Sequence, residues 1–141
     1  MPDSCPTWDL TDLYADIGDA TINADIESCR AAAVALAESW QGKLDTADGA
    51  ALAAVIAEYE RISEILGKAA SHAQLEFAAN TTDPDIARHH QSIREAGADI
   101  GAMLLFIELE LARLPQDHMD RLLAVPALAR WTPWLRRVRA W

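Results

Sequence analysis

Three runs of apolar residues, spaced alternately three and four apart, constrain this chain more than anything else in its sequence. The first is Ile22, Ile26, Cys29, Ala33, Leu36 and Trp40. The second is Leu52, Val55, Tyr59, Ile62, Leu66, Ala69, Ala73 and Phe77. The third is Ile86, Ile93, Gly97, Ile100, Leu104, Ile107, Leu111 and Leu114. Such spacing places each set on one side of an α-helix, because a helix turns once in about 3.6 residues. The expected fold class is therefore all-α. A helix is expected from about Ala20 to Trp40, another from about Gly49 to Ala79, and a third from Asp83 and Pro84 to Pro115.

Local signals mark the ends of these runs. Asp19 or Thr21 can cap the first helix, since a short side-chain oxygen accepts from the free amides of the first turn. Gly42 is expected to end it. Asp83-Pro84 is a start signal: Asp caps, and Pro fits the first helical position, where its missing N–H had no partner. Asn80-Thr81-Thr82 is a short connection, so the second and third helices are expected to form a long antiparallel hairpin. Gly67 marks either a kink or the close approach of a neighbouring helix. Two short helices, about Gln116–Ala124 and Ala127–Arg139, follow, split by Pro126 and with a bend at Pro133. The architecture is then a helical bundle on a long hairpin, with short C-terminal helices. Its domain spans residues 19–141, preceded by an acidic, extended lead-in over 1–18 that docks through Trp8, Leu10, Leu13 and Tyr14.

Length and composition agree with this outline. The 141 residues suit one domain, and half of them are apolar. The net charge is −10, which disfavours nucleic acid and anionic membranes as partners. The charge is uneven. Residues 126–141 carry Arg130, Arg136, Arg137 and Arg139 and no acid, so this tail is +4 and the remainder is −14. The ordinary reading of the tail is a solvated face or a contact with acidic parts of the same protein. The tail also holds Trp131, Trp134 and Trp141. These pack into the domain's own core or await a neighbour that covers them. Cys5 and Cys29 make no metal or redox motif, and free thiols in a reducing cytosol are expected. No signal peptide and no apolar run of about 18 residues is apparent, so a cytoplasmic location is expected.

Chemistry-bearing motifs are missing from the sequence. The histidines are His72, His89, His90 and His118. None sits in His-Glu-x-x-His, which would place two imidazoles one turn apart beside a water-activating glutamate. His89 and His90 are adjacent and point about 100° apart on a helix. His72 and Glu76 share a face, but a pair alone reads as solvated or core-edge residues. No glutamate has histidine three residues later, so a di-iron bundle is disfavoured. Glu108 and Glu110 face different sides, with one partly buried in a hydrogen bond or ion pair. Cys29 lies on a core stripe and reads as a small apolar residue. Cys5 lies in the acidic lead-in, where a reactive thiolate is disfavoured. Neither Gly-x-Ser-x-Gly nor a glycine-rich phosphate loop occurs.

One resemblance covers nearly the whole chain, in order. Trp8-Asp9-Leu10-Thr11-Asp12-Leu13-Tyr14 resembles the opening of oligoendopeptidase F-type zinc peptidases of the M3 family. Gly42-Lys43-Leu44, Ala73-Gln74-Leu75, Thr81-Thr82-Asp83-Pro84 and Phe106-Ile107-Glu108-Leu109-Glu110-Leu111 are similar to later segments. So are Pro126-Ala127-Leu128-Ala129-Arg130-Trp131 and Trp134-Leu135. The resemblance implies a non-catalytic N-terminal helical domain that walls a substrate channel and scaffolds a catalytic domain. Zinc and the hydrolysis of internal bonds of oligopeptides would belong to that further domain. No catalytic, cofactor-binding or metal-binding residue is therefore assigned to this chain, and alone it is expected to be inactive. Its expected partners are the catalytic domain of the same polypeptide and, through it, oligopeptides. The alternative is a stand-alone helical interaction or dimerisation module, self-associating through the Trp-rich tail.

Overall fold

The structure is a computed structural model that describes Tyr14 and residues 16–139. Among the described residues five α-helices follow one another: α1 (Ala20–Trp40), α2 (Gly49–Ala79), α3 (Pro84–Arg113), α4 (Gln116–Leu123) and α5 (Thr132–Arg139). Short 3-10 segments lie at Leu44–Thr46 and Pro126–Trp131. No strand occurs among the described residues, and the fold class is all-α.

Each long helix begins on an aspartate. Asp19 accepts from the Thr21 amide at 2.9 Å, so Thr21 supplies the capped N–H and Asp19 is the cap. Asp48 accepts from the Ala51 amide at 2.8 Å. Asp83 accepts from the Asp85 amide at 2.9 Å, with Pro84 at the first helical position. These carboxylates satisfy amides that have no partner within the helix and sit favourably at the positive end of its dipole. After α1 the chain turns at Gly42, whose φ of 81° lies in the left-handed region.

The three stripes meet in one core. Ile22, Ile26, Cys29 and Ala33 of α1 are buried, as are Ile62, Ala69 and Ala73 of α2. Ile93, Ile100, Leu104, Ile107 and Leu111 complete it from α3. Contacts fix how the helices run. The Cys29 thiol lies 3.9 Å from the Ile62 carbonyl oxygen, and Tyr14 meets His72, so α2 descends past α1. Phe77 stacks on His90 and Tyr59 reaches Glu108, so α3 passes back along α2. Glu110 of α3 accepts from the Gly42 and Leu44 amides at 2.6 and 3.2 Å, tying the α1–α2 connection to the third helix.

The stripes are broader than their spacing suggests. Leu36, Trp40, Tyr59, Leu66 and Phe77 are only partly buried, whereas Ile56 and His72 are fully inside. The reason is that α2 is covered from several sides, by α1, α3 and the Pro126–Trp131 segment. A helix so placed buries a wide arc instead of one seam. The C-terminal part divides differently from the expected pair of helices. Pro126–Trp131 winds as a tight 3-10 segment before α5, with Pro133 in the first turn of α5. Leu128, Trp131, Leu135 and Val138 of this part are buried. Trp134 is half-buried. Trp131 thus packs into the domain's own core, while Trp141 lies outside the described residues.

Of the lead-in residues expected to dock, Tyr14 is the one described. It is buried, and its hydroxyl donates to Asp25 at 2.7 Å. Trp8, Leu10 and Leu13 lie outside the described residues. Gly67 is not a close-approach residue, because a Cβ there would meet nothing within 4 Å and α2 continues through it. Gly49 is the reverse: a Cβ would fall 2.5 Å from a Val125 methyl. The two glycines predict opposite outcomes for one substitution. Gly67→Ala should stabilise the fold by about 0.5–1 kcal/mol, since only backbone entropy changes. Gly49→Ala should destabilise it by about 1–2 kcal/mol through overpacking. Urea unfolding of both variants checks the signs.

A candidate aromatic cleft and a buried imidazole pair

A cleft of about 380 Å³ lies between α2 and the C-terminal segment. Tyr59, Glu60 and Ser63 line one side from a single face of α2. Arg130 and Trp131 line the other from the end of the 3-10 segment, and Trp134 and Arg137 from α5. Helical spacing explains the second wall. Trp131 and Leu135 are four apart and Leu135 and Val138 three apart, so Leu135 and Val138 turn inward to the core. Trp134 and Arg137, also three apart, then share a neighbouring face at the cleft.

Most polar groups of the cleft already have partners. Glu60 accepts from the Trp131 indole N–H at 3.2 Å and from Arg130 at 3.3 Å. The Arg130 guanidinium lies 4.8 Å from the centre of the Trp131 ring, a cation–π distance. Tyr59 donates to Glu108 at 3.0 Å, and its ring meets Trp134 at 5.8 Å between centroids, tilted by 41°. Burial, reinforced by the Glu108 carboxylate, pushes the Tyr59 phenol up to about 12, so it remains a donor at neutral pH. Among the described residues Arg137 has no carboxylate within 4 Å.

A second arrangement lies at the other end of the α2–α3 contact. His72 is fully buried, and neither ring nitrogen has a hydrogen-bond partner. Its Nε2 is 3.9 Å from a Glu76 oxygen, which is too long for a hydrogen bond. The Tyr14 ring meets the imidazole edge-on at 5.4 Å. Lys68 in turn covers the Tyr14 ring at 4.6 Å. His89 also has a buried, unpartnered Nε2. Burial pushes the His89 imidazole below its ordinary value, nearby His72 and His90 act in the same direction, and Glu76 opposes them. His90 instead contacts Gln74 at 2.9 Å and stacks on Phe77 at 4.9 Å.

These positions correct one expectation. His72 is not a solvated or core-edge residue but a core residue, because Tyr14, α1 and α3 enclose this stretch of α2. His89 and His90 diverge as adjacent helix positions must. Among the described residues no three of His, Cys, Asp and Glu are placed to hold a metal ion. Glu108 and Glu110 both accept hydrogen bonds, one from Tyr59 and the other from two backbone amides. Cys29 is fully buried, and desolvation raises its thiol, which disfavours a reactive thiolate. Cys5 lies outside the described residues. Sequence reading missed the cleft because Tyr59 and Arg137 are far apart in the chain; the density of Trp and Arg near its end was the available signal.

No family model matches the chain, and no match is found among curated proteins or solved structures.

Two predictions follow from the imidazoles. His72→Leu removes two unsatisfied buried nitrogens and should stabilise the fold by about 1–2 kcal/mol in chemical unfolding at pH 7.5. His89 is depressed in the folded state, so the unfolded chain takes up its proton first. Stability should therefore fall as pH drops below about 6.5. Melting temperatures between pH 7.5 and 5.5 should show that decline, and His89→Gln should flatten it.

Proposed function

We propose that this chain is the non-catalytic N-terminal helical domain of an oligoendopeptidase F-like zinc metallopeptidase. In that role it walls the substrate channel and scaffolds the catalytic domain of the same polypeptide. The whole protein would act in the cytoplasm on internal bonds of oligopeptides, with zinc held by the catalytic domain. The support is the ordered series of family-like segments, whose residues hold structural positions here. Tyr14, the last residue of the opening motif, is anchored on Asp25 in the core. Asp83-Pro84 starts α3, and Glu108 and Glu110 tie α3 to its neighbours.

The geometric observation that carries the scaffold role is an uncovered apolar strip. Leu105 and Leu109, one turn apart on α3, are 50% and 45% exposed. With Ala112 and Val138 they line a groove of about 140 Å³. Among the described residues no helix is long and apolar enough to cross a membrane, so the strip is not read as part of a span. The same strip supports a second reading, a stand-alone interaction or dimerisation module. Burial of Trp131 within its own chain weakens a dimer built on the tryptophans.

The mass of the native gene product separates the readings. A polypeptide several times larger than 15.4 kDa, binding zinc and cleaving a short peptide, is expected. The 141-residue chain by itself should bind no stoichiometric zinc and cleave nothing. A native product of 15.4 kDa overturns the proposal, and a defined dimer blocked by Leu109→Asp then establishes the second reading.

A further inference from the structure

We propose that the cleft between α2 and the C-terminal segment is a binding site for a small planar aromatic ligand bearing one carboxylate. The ligand's ring rests on the half-buried Trp134, and its carboxylate meets the Arg137 guanidinium. This inference is independent of the peptidase reading.

Three observations carry it. The first is shape: about 380 Å³ falls within the range of small-molecule sites, which combine apolar walls with a few polar groups. The second is the state of those polar groups. Tyr59 is committed to Glu108, and the Trp131 N–H and Arg130 are committed to Glu60. Tyr59 and Trp131 thus offer no free donor, while Trp134 offers ring surface and an indole N–H that makes no hydrogen bond among the described residues. Among the described residues the uncommitted charged group is Arg137, and Ser63 is a further polar residue of the lining. A ligand that filled the cleft with a second cation or a neutral polar head would leave Arg137 without a partner.

The third observation is local charge. Arg130 and Arg137 against Glu60 leave the cleft at +1, in a protein whose net charge is −10. The distant carboxylates act weakly at physiological salt, where charges are screened within about 8 Å. Contact with a guanidinium then decides, and its planar fork suits a carboxylate. Aromatic ligands gain from offset or edge contacts with the Trp134 indole.

The test uses the 141-residue chain with 2-naphthoate and its uncharged counterpart 2-naphthamide, titrated by calorimetry in 0.15 M salt. The expected Kd for 2-naphthoate is about 1 mM, the scale for a ligand of this size. 2-Naphthamide should bind roughly 10-fold more weakly, the scale of one charge-assisted hydrogen bond. Arg137→Gln, on an exposed position, should keep the helical circular dichroism and remove the difference between the two ligands. Trp134→Ala should weaken both ligands together. Chemical shifts of the indole N–H groups of Trp131 and Trp134 should move with 2-naphthoate. Equal affinity for both ligands overturns the proposal, as does an Arg137→Gln protein that still discriminates. Absence of heat and of indole shifts up to several times the expected Kd overturns it as well.

Discussion

The four residues Asn80–Asp83 between α2 and α3 set the problem that the rest of the structure solves. Helices of 31 and 30 residues extend about 45 Å each, yet the connection can span only about 14 Å. The start of α3 must therefore lie beside the end of α2. The apolar stripes then bring the two helices together along their length, because neither can bury its stripe alone. That pairing creates the groove into which Ile22, Ile26, Cys29 and Ala33 of α1 settle.

Acidic residues do structural tasks throughout this negatively charged chain. Asp19, Asp48 and Asp83 start the three long helices. Glu110 holds the α1–α2 connection by two backbone amides. Glu108 and Glu60 accept from Tyr59 and Trp131. Each carboxylate replaces lost water by donors, which is what permits charge near a core. The excess of acid therefore reflects, in part, how the helices are started and joined.

The two ends of the α2–α3 contact differ in what they can do. At one end His72 and His89 bury ring nitrogens without partners, an arrangement that costs stability and couples it to pH. No metal-holding group forms there among the described residues. At the other end the Arg- and Trp-rich tail folds over α2 and leaves an open cleft whose polar groups are mostly committed. The first is a feature of the core, and the second is a surface that a ligand or neighbour can occupy.

The sequence by itself determined the helices. Periodic apolar spacing, the aspartate caps and Pro84 act through neighbours within one or two turns, so they are readable without knowing the fold. Their bounds, from Ala20–Trp40 to the start at Pro84, follow from such local physics. Only the tertiary structure decided that Ile56 and His72 are core residues, because burial depends on how many neighbours cover a helix face. It also decided that Gly49 needs to lack a side chain, since Val125 arrives from 76 positions away. The cleft is of the same kind: Tyr59 and Glu60 lie far along the chain from Trp134 and Arg137, and only the packing of α5 and the preceding 3-10 segment onto α2 and α3 brings the two pairs together.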